Sequence, residues 1–157
     1  MTLAADIIAC AAQRQIMIAT VESCTGGMIA AALTEIPGAS AVVERGYVTY
    51  TNVAKQELVG VHAATLDAHG AVSEEVAAEM AAGALARAPI GLAVSVTGIA
   101  GPGGSEHKPE GRVCFGLAAP SGILTETVDF GALGRAHVRA AARDHALRFI
   151  LAHLQND

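Results

Sequence analysis

Twice in this chain a short run of apolar and β-branched residues passes without a break into a glycine-rich loop. Ile16 to Val21 leads into Glu22-Ser23-Cys24-Thr25-Gly26-Gly27, and Leu92 to Thr97 leads into Gly98-Ile99-Ala100-Gly101-Pro102-Gly103-Gly104. Runs of that length and type read as buried strands. Glycine at a strand end lets the backbone turn tightly and come close to a ligand. Helical patterns fill the intervals. Leu3, Ile7 and Ile8 start a helix that ends near Gln15, and a second helix runs from about Gly26 to Glu35 before Pro37-Gly38. Gly46 to Thr51 alternates as a strand, and Asn52 caps a short helix reaching Leu58. Ser73 caps another helix, with Glu74 and Glu75 in the first turn where the helix dipole favours anions. Arg112 to Ala118 and Leu124 to Phe130 form a hairpin about Pro120-Ser121-Gly122, and a long helix spans Arg135 to Leu154. Alternating helices and strands predict an α/β class, with a mixed, partly parallel sheet covered by helices on both faces.

The 157 residues suit one domain, residues 1–157. Tryptophan is absent and aromatics make up 3%, so the 52% apolar content must pack as Ala, Val, Ile and Leu. Small side chains of this kind suit helices laid closely on a sheet and an apolar surface shared with a second copy, so self-association as a dimer or higher oligomer is expected. No apolar run reaches the roughly 18–20 residues of a membrane span, and Met1 to Gln15 does not read as a signal peptide. Cys10, Cys24 and Cys114 are odd in number and widely spaced, which fits a reducing cytoplasm. A net charge of −5 without a Lys/Arg cluster excludes nucleic acid as an expected partner.

The first loop has the parts of a nucleophile at a strand-to-helix bend. Ser23 would stand at the bend, and main-chain N–H groups of Thr25, Gly26 and Gly27 at the helix start could hold a developing oxyanion. Capping of the helix by Ser23, or phosphate binding at the same helix start, are the other readings. Cys24 competes as a nucleophile, but no histidine is singled out as its base; a buried, inert thiol is the alternative.

A serine hydroxyl needs a base. Of the ten cations eight are arginine, which keeps its proton, and two are lysines, Lys55 and Lys108. Bringing a lysine from about 10.4 to the roughly 7–8 useful to a general base requires on the order of 4 kcal/mol of differential solvation and charge, which burial can supply. Lys55 follows Tyr50 by five residues, so a Tyr50 phenol between Ser23 and Lys55 could relay a proton; equally, Lys55 could be a solvated helix residue and Tyr50 a core aromatic. The second loop matches neither Gly-x-Gly-x-x-Gly nor a Walker A motif, and could be a turn or a ligand loop. Arg135 and Arg139, spaced i and i+4, could hold a phosphate or form a solvated face. The six histidines form no His-Glu-x-x-His, and no Cys-x-x-Cys occurs, so no metal is expected.

Taken together, several segments are specific. They are Thr20 to Gly27, Pro37-Gly38-Ala39-Ser40, Gly46 to Asn52 with Ala54-Lys55, His69-Gly70-Ala71-Val72-Ser73, Val96 to Gly104, and Lys108-Pro109 followed by Gly111. They resemble the C-terminal domain family of the CinA competence/damage-inducible proteins, the nicotinamide-nucleotide amidohydrolases, over nearly the whole chain. The resemblance implies a three-layer α/β/α sandwich in a stand-alone form. It implies hydrolysis of nicotinamide mononucleotide to nicotinate mononucleotide and ammonia, without metal or organic cofactor. It further implies Ser23 as nucleophile with Tyr50 and Lys55 as its activating pair, Thr97 and Gly98 lining the pocket, and Arg135 near the substrate phosphate. The chain departs from the family pattern at Gly134, where an acidic residue is usual, and in the charged stretch Ser105 to Glu110. A non-catalytic nucleotide-binding or regulatory module, or an amidohydrolase for another small amide, are the alternatives.

Overall fold

In the computed structural model, which describes residues 2–156, five strands form one mixed sheet. They are β1 (Ile18–Glu22), β2 (Val43–Val48), β3 (Leu92–Gly98), β4 (Arg112–Ala119) and β5 (Gly122–Asp129), in spatial order β2-β1-β3-β4-β5. β1 pairs in parallel with both β2 and β3, whereas β4 and β5 add antiparallel. The helices are α1 (Leu3–Gln13), α2 (Met28–Thr34), α3 (Asn52–Val59), α4 (Ala63–His69), α5 (Glu74–Arg87) and α6 (Arg135–Asn156). α1, α2 and α6 pack together on one face of the sheet, and α3 and α4 pack with α5 on the other. The expected α/β/α sandwich is observed.

Strand alternation divides the core between the layers. Ile18, Val94, Val96, Phe115 and Leu117 pack with Ile7, Ile29, Val138 and Ile150, while Val21, Ala93 and Ala118 pack with Val76 and Met80. Full burial of each Val, Ile, Leu, Phe or Met side chain among them contributes about 1.5–3 kcal/mol. Two glycines let α5 come in unusually close. A Cβ on Gly116 of β4 would stand 2.5 Å from the Ala77 carbonyl oxygen, and one on Gly83 would stand 1.8 Å from that of Val59.

The two parallel crossovers, β1 to β2 and β2 to β3, run in opposite directions along the sheet and place β1 between its two partners. α2 carries the chain to β2 on one side, and α3 to α5 carry it back to β3 on the other, so the two connections cover opposite faces. That arrangement opens a crevice at the carboxyl ends of the parallel strands. Register completes the alignment, because Glu22 pairs with both Val48 and Val96. One residue further on, the Ser23 amide donates to the Val96 carbonyl at 2.9 Å and the Thr49 amide to the Glu22 carbonyl at 2.9 Å.

Several boundaries differ from the sequence reading. β2 spans Val43–Val48 rather than Gly46 to Thr51, because Thr51 leaves the ladder to cap α3: its Oγ1 accepts from the Ala54 amide at 3.0 Å. Asn52 is therefore the first helical residue and not the cap. α2 begins at Met28, since Gly26 and Gly27 take left-handed conformations, φ +58° and +108°, to make the bend. β1 begins at Ile18, as Gln15 in the left-handed region (φ 56°) first turns the chain out of α1. Two short elements were not anticipated, α4 and a 3-10 turn at Ala39–Ala41, neither of which has a side-chain N-cap.

Candidate active site

A cavity of about 350 Å³ lies at the carboxyl ends of β1 and β3, a volume in the range of small-molecule sites. Ser23, Tyr50, Lys55, Thr97, Gly98 and Arg135 all line it, together with Cys24, Ala71, Val72 and the loop from Ile99 to Glu106. Ser23 arrives there because β1 ends one residue earlier and the two left-handed glycines fold the chain back into α2.

Lys55 lies on the buried face of α3 and is 1% exposed, so it is not a solvated helix residue. Its Nζ lies 3.2 Å from Ser23 Oγ, 3.0 Å from the Thr49 carbonyl oxygen and 3.3 Å from that of Tyr50. Burial, the largest influence, holds the Lys55 ammonium below the usual lysine range, while the Cys24 and Glu106 side chains act in the other direction. An ammonium has three donors and no acceptor, and here each donor finds a partner. A neutral amine keeps two donors, which the two carbonyls take, leaving its lone pair aimed at the serine hydroxyl. The Ser23 hydroxyl also reaches the Tyr50 carbonyl oxygen, at 3.5 Å.

Tyr50 thus meets the pair through its main chain. The residue is 56% exposed, and its hydroxyl accepts a hydrogen bond from Arg135 at 2.8 Å, so the phenol does not lie between Ser23 and Lys55 as the relay would require. Arg135 also donates to the Gly101 carbonyl at 2.7 Å and thereby ties α6 to the second glycine loop. Arg139 departs from the expected phosphate pair. Its guanidinium donates to the carbonyl oxygens of Cys24, at 3.0 Å, and Thr25, at 3.4 Å, behind the bend.

Thr25, Gly26 and Gly27 are not among the cavity-lining residues. The Thr25 hydroxyl donates to Glu22 at 2.6 Å, the Gly26 amide to the Ser23 carbonyl at 3.0 Å, and the Met28 amide to that of Thr25 at 3.0 Å. The next amides, Ile29 and Ala30, donate to the Glu22 carboxylate at 2.9 and 3.0 Å. The amides of Gly26, Met28, Ile29 and Ala30 are therefore taken up from within, and the main chain of Gly98 to Gly104 is the part of the cavity wall with glycine freedom. Thr97 sets that wall by donating to the Ala71 carbonyl at 2.8 Å. Lys108 adds a strut to the carbonyls of His69 and Val72, both at 2.6 Å.

Cys24 is a poor competitor for Ser23. Burial pushes its thiol up to about 12, with the nearby Glu22 carboxylate acting in the same direction. Such a thiol is inert near neutral pH. Among the described residues, no group of three or more His, Cys, Asp or Glu side chains could hold a metal ion.

Sequence reasoning missed Glu22 and the role of Arg139. Glu22 stood in plain view beside Ser23, but nothing in its spacing shows that a carboxylate on the central strand is 1% exposed.

A profile of the CinA C-terminal domain matches residues 1–154. A CinA-like protein of Chlorobium phaeobacteroides (strain BS1) is 50% identical over 140 residues, which cover 86% of this chain and 33% of that protein. The nicotinamide-nucleotide amidohydrolase PncC of Enterobacter agglomerans is 57% identical over 111 residues, covering 69% of this chain and 68% of that one. The chain spans only 25–35% of the length of the CinA-like relatives it matches. Among solved structures, the competence/damage inducible protein CihA from Agrobacterium tumefaciens superposes with a TM-score of 0.93 at 49% identity, covering 98% of this chain and 93% of the other. With its sheet order, its serine bend and its buried lysine in one crevice, the chain belongs to the CinA C-terminal domain family.

Proposed function

We propose that this chain hydrolyses the carboxamide of nicotinamide mononucleotide to nicotinate mononucleotide and ammonia, with Ser23 as nucleophile and Lys55 as general base. The observation that carries the reading is the 3.2 Å contact between Lys55 Nζ and Ser23 Oγ inside a cavity that also presents Arg135. The name of the 57% identical PncC supports the substrate.

Neutral Lys55 takes the hydroxyl proton as Ser23 Oγ bonds to the carboxamide carbon. The tetrahedral intermediate collapses with cleavage of the carbon–nitrogen bond, and Lys55 returns the proton to the departing ammonia. Water then attacks the acyl ester, giving its proton to Lys55, and the acid product leaves as Ser23 is restored. The carbonyls of Thr49 and Tyr50 keep the amine oriented through both halves. Backbone N–H groups of the Gly98–Gly104 loop are the oxyanion donors in this reading, and Arg135 at the rim binds the phosphate. Thr97 and Gly98 shape the pocket wall. Tyr50 contributes its main-chain oxygen to the base and its phenol to Arg135. The three free thiols and the lack, among the described residues, of a helix long and apolar enough to cross a membrane fit a cytoplasmic setting.

The test is ammonia release from nicotinamide mononucleotide, with nicotinamide and NAD alongside. Release from the mononucleotide far above the other two supports the reading. Release from none of them overturns it.

A further inference from the structure

We propose that Glu22 and Arg139 are positioning residues that grip the serine bend from behind and fix where Ser23 Oγ stands relative to Lys55. The inference rests on Ser23 being the nucleophile.

Glu22 is the last residue of the central strand, and its carboxylate is out of water. It takes part in no ion pair found among the described residues. An ionised carboxylate in that position is tolerated only with several donors around it. It has three: the Thr25 hydroxyl at 2.6 Å and the Ile29 and Ala30 amides at 2.9 and 3.0 Å. Those bonds leave one carboxylate, cross the bend, and end on the residues just after it. They therefore set the angle between β1 and α2, and Ser23 sits between their two ends.

Arg139 supplies the opposite polarity. Reaching from α6, it holds the carbonyls of Cys24 and Thr25. The amides that follow the bend thus meet an anion, and the carbonyls within it meet a cation. The guanidinium lies against the bend: a Cβ on Gly26 would stand 3.4 Å from the Arg139 Nη2, at contact distance. Neither side chain lines the cavity or touches Lys55. Lys55 comes from the other face of the sheet with its own two carbonyls, so loosening the grip moves the nucleophile and leaves the base in place. A displacement on the order of 1 Å can cost up to about a hundredfold in rate.

The experiment compares the parent with Glu22→Gln, Arg139→Lys and Arg139→Met. Each is checked for fold by circular dichroism and melting temperature. Two readouts follow: kcat and KM for ammonia release, and the second-order rate at which a fluorophosphonate forms an Oγ–phosphorus bond at Ser23 with loss of fluoride. Labelling does not depend on the substrate. Glu22→Gln and Arg139→Met should lower kcat and the labelling rate by roughly tenfold or more with KM within about twofold. Arg139→Lys, which keeps a cationic donor group but loses the two-nitrogen fork, should fall between. The midpoint of the acid limb of the labelling rate should stay at the parent value. Folded variants that label at the parent rate overturn the inference, as do losses confined to KM or explained by a moved midpoint. Should Glu22→Gln fail to fold, the graded Arg139 pair decides alone. A parent that labels at Ser23 but releases no ammonia defeats the proposed substrate and not the grip; a parent that does not label at Ser23 defeats both.

Discussion

Lys55 Nζ and Ser23 Oγ stand 3.2 Å apart although 32 residues separate them, because β1 ends and α3 begins at the carboxyl end of the parallel strands. Ser23 follows the central strand and Lys55 sits on a helix of the layer packed beside the sheet, so the seating of that layer fixes the distance.

If that contact is the catalytic pair, Ser23→Ala should abolish ammonia release without loss of fold. Lys55→Arg should lower kcat by about 10²–10⁴-fold, because a guanidinium keeps its proton and cannot act as base. Steady-state ammonia assays on both variants, with circular dichroism as the fold control, check this.

The pH dependence follows from the direction of the lysine shift. Burial disfavours the ammonium, so Lys55 loses its proton below the ordinary lysine value of about 10.4. In the proposed reaction the active form is the deprotonated one. kcat/KM should therefore rise with pH along an acid limb whose midpoint lies below about 10.4. The same shift makes folding release a proton between the two values, so stability rises with pH across that window. A pH–rate profile beside a pH series of melting temperatures should show both trends. A lysine midpoint at its ordinary value would contradict them.

Tyr50→Phe separates a main-chain role from a phenolic one. The phenol is held by Arg135, so its removal should leave kcat within about threefold while raising KM for the nucleotide, as expected for a group that acts in binding. A collapse of kcat at constant KM would restore the relay.

Cys24 should be silent. With its thiol pushed up to about 12, only about one thiol in ten thousand is ionised at pH 8, so iodoacetamide should label it very slowly. Cys24→Ala should retain kcat within about threefold. Mass spectrometry after timed alkylation gives the first result, and kinetics the second.

Gly83→Ala tests the seat of α5 on α3. The new Cβ would meet the Val59 carbonyl oxygen at 1.8 Å, so the helix must shift at a cost of about 1–3 kcal/mol or more. Thermal unfolding should register a drop of several degrees.

Much of this architecture was legible in the residues. The β-branched run Leu92 to Thr97 and the cap at Ser73 lie where the pattern predicts, since a buried central strand and an N-cap are written in local sequence. Lys55 could be singled out because arginine cannot serve as a base and only two lysines exist. What stayed hidden was tertiary. The Tyr50 carbonyl lies where its phenol was expected, a distinction that side-chain identity does not encode. The Thr25 to Gly27 stretch was expected to face a substrate, yet it lies off the cavity lining, with the Thr25 hydroxyl and the following Ile29 and Ala30 amides turned to Glu22, whose burial depends on strands far away in sequence. Arg139 likewise looks like half of a surface pair until α6 is laid against the bend.

The placement of β1 between two parallel neighbours bears on how little of the chain could be kept. A fragment stopping at the end of β2 would retain the alcohol and lack the amine. One beginning at α3 would retain the amine and lack the alcohol. Neither half of the molecule is a primitive version of the whole, and cutting or loosening either crossover should extinguish turnover in a single step.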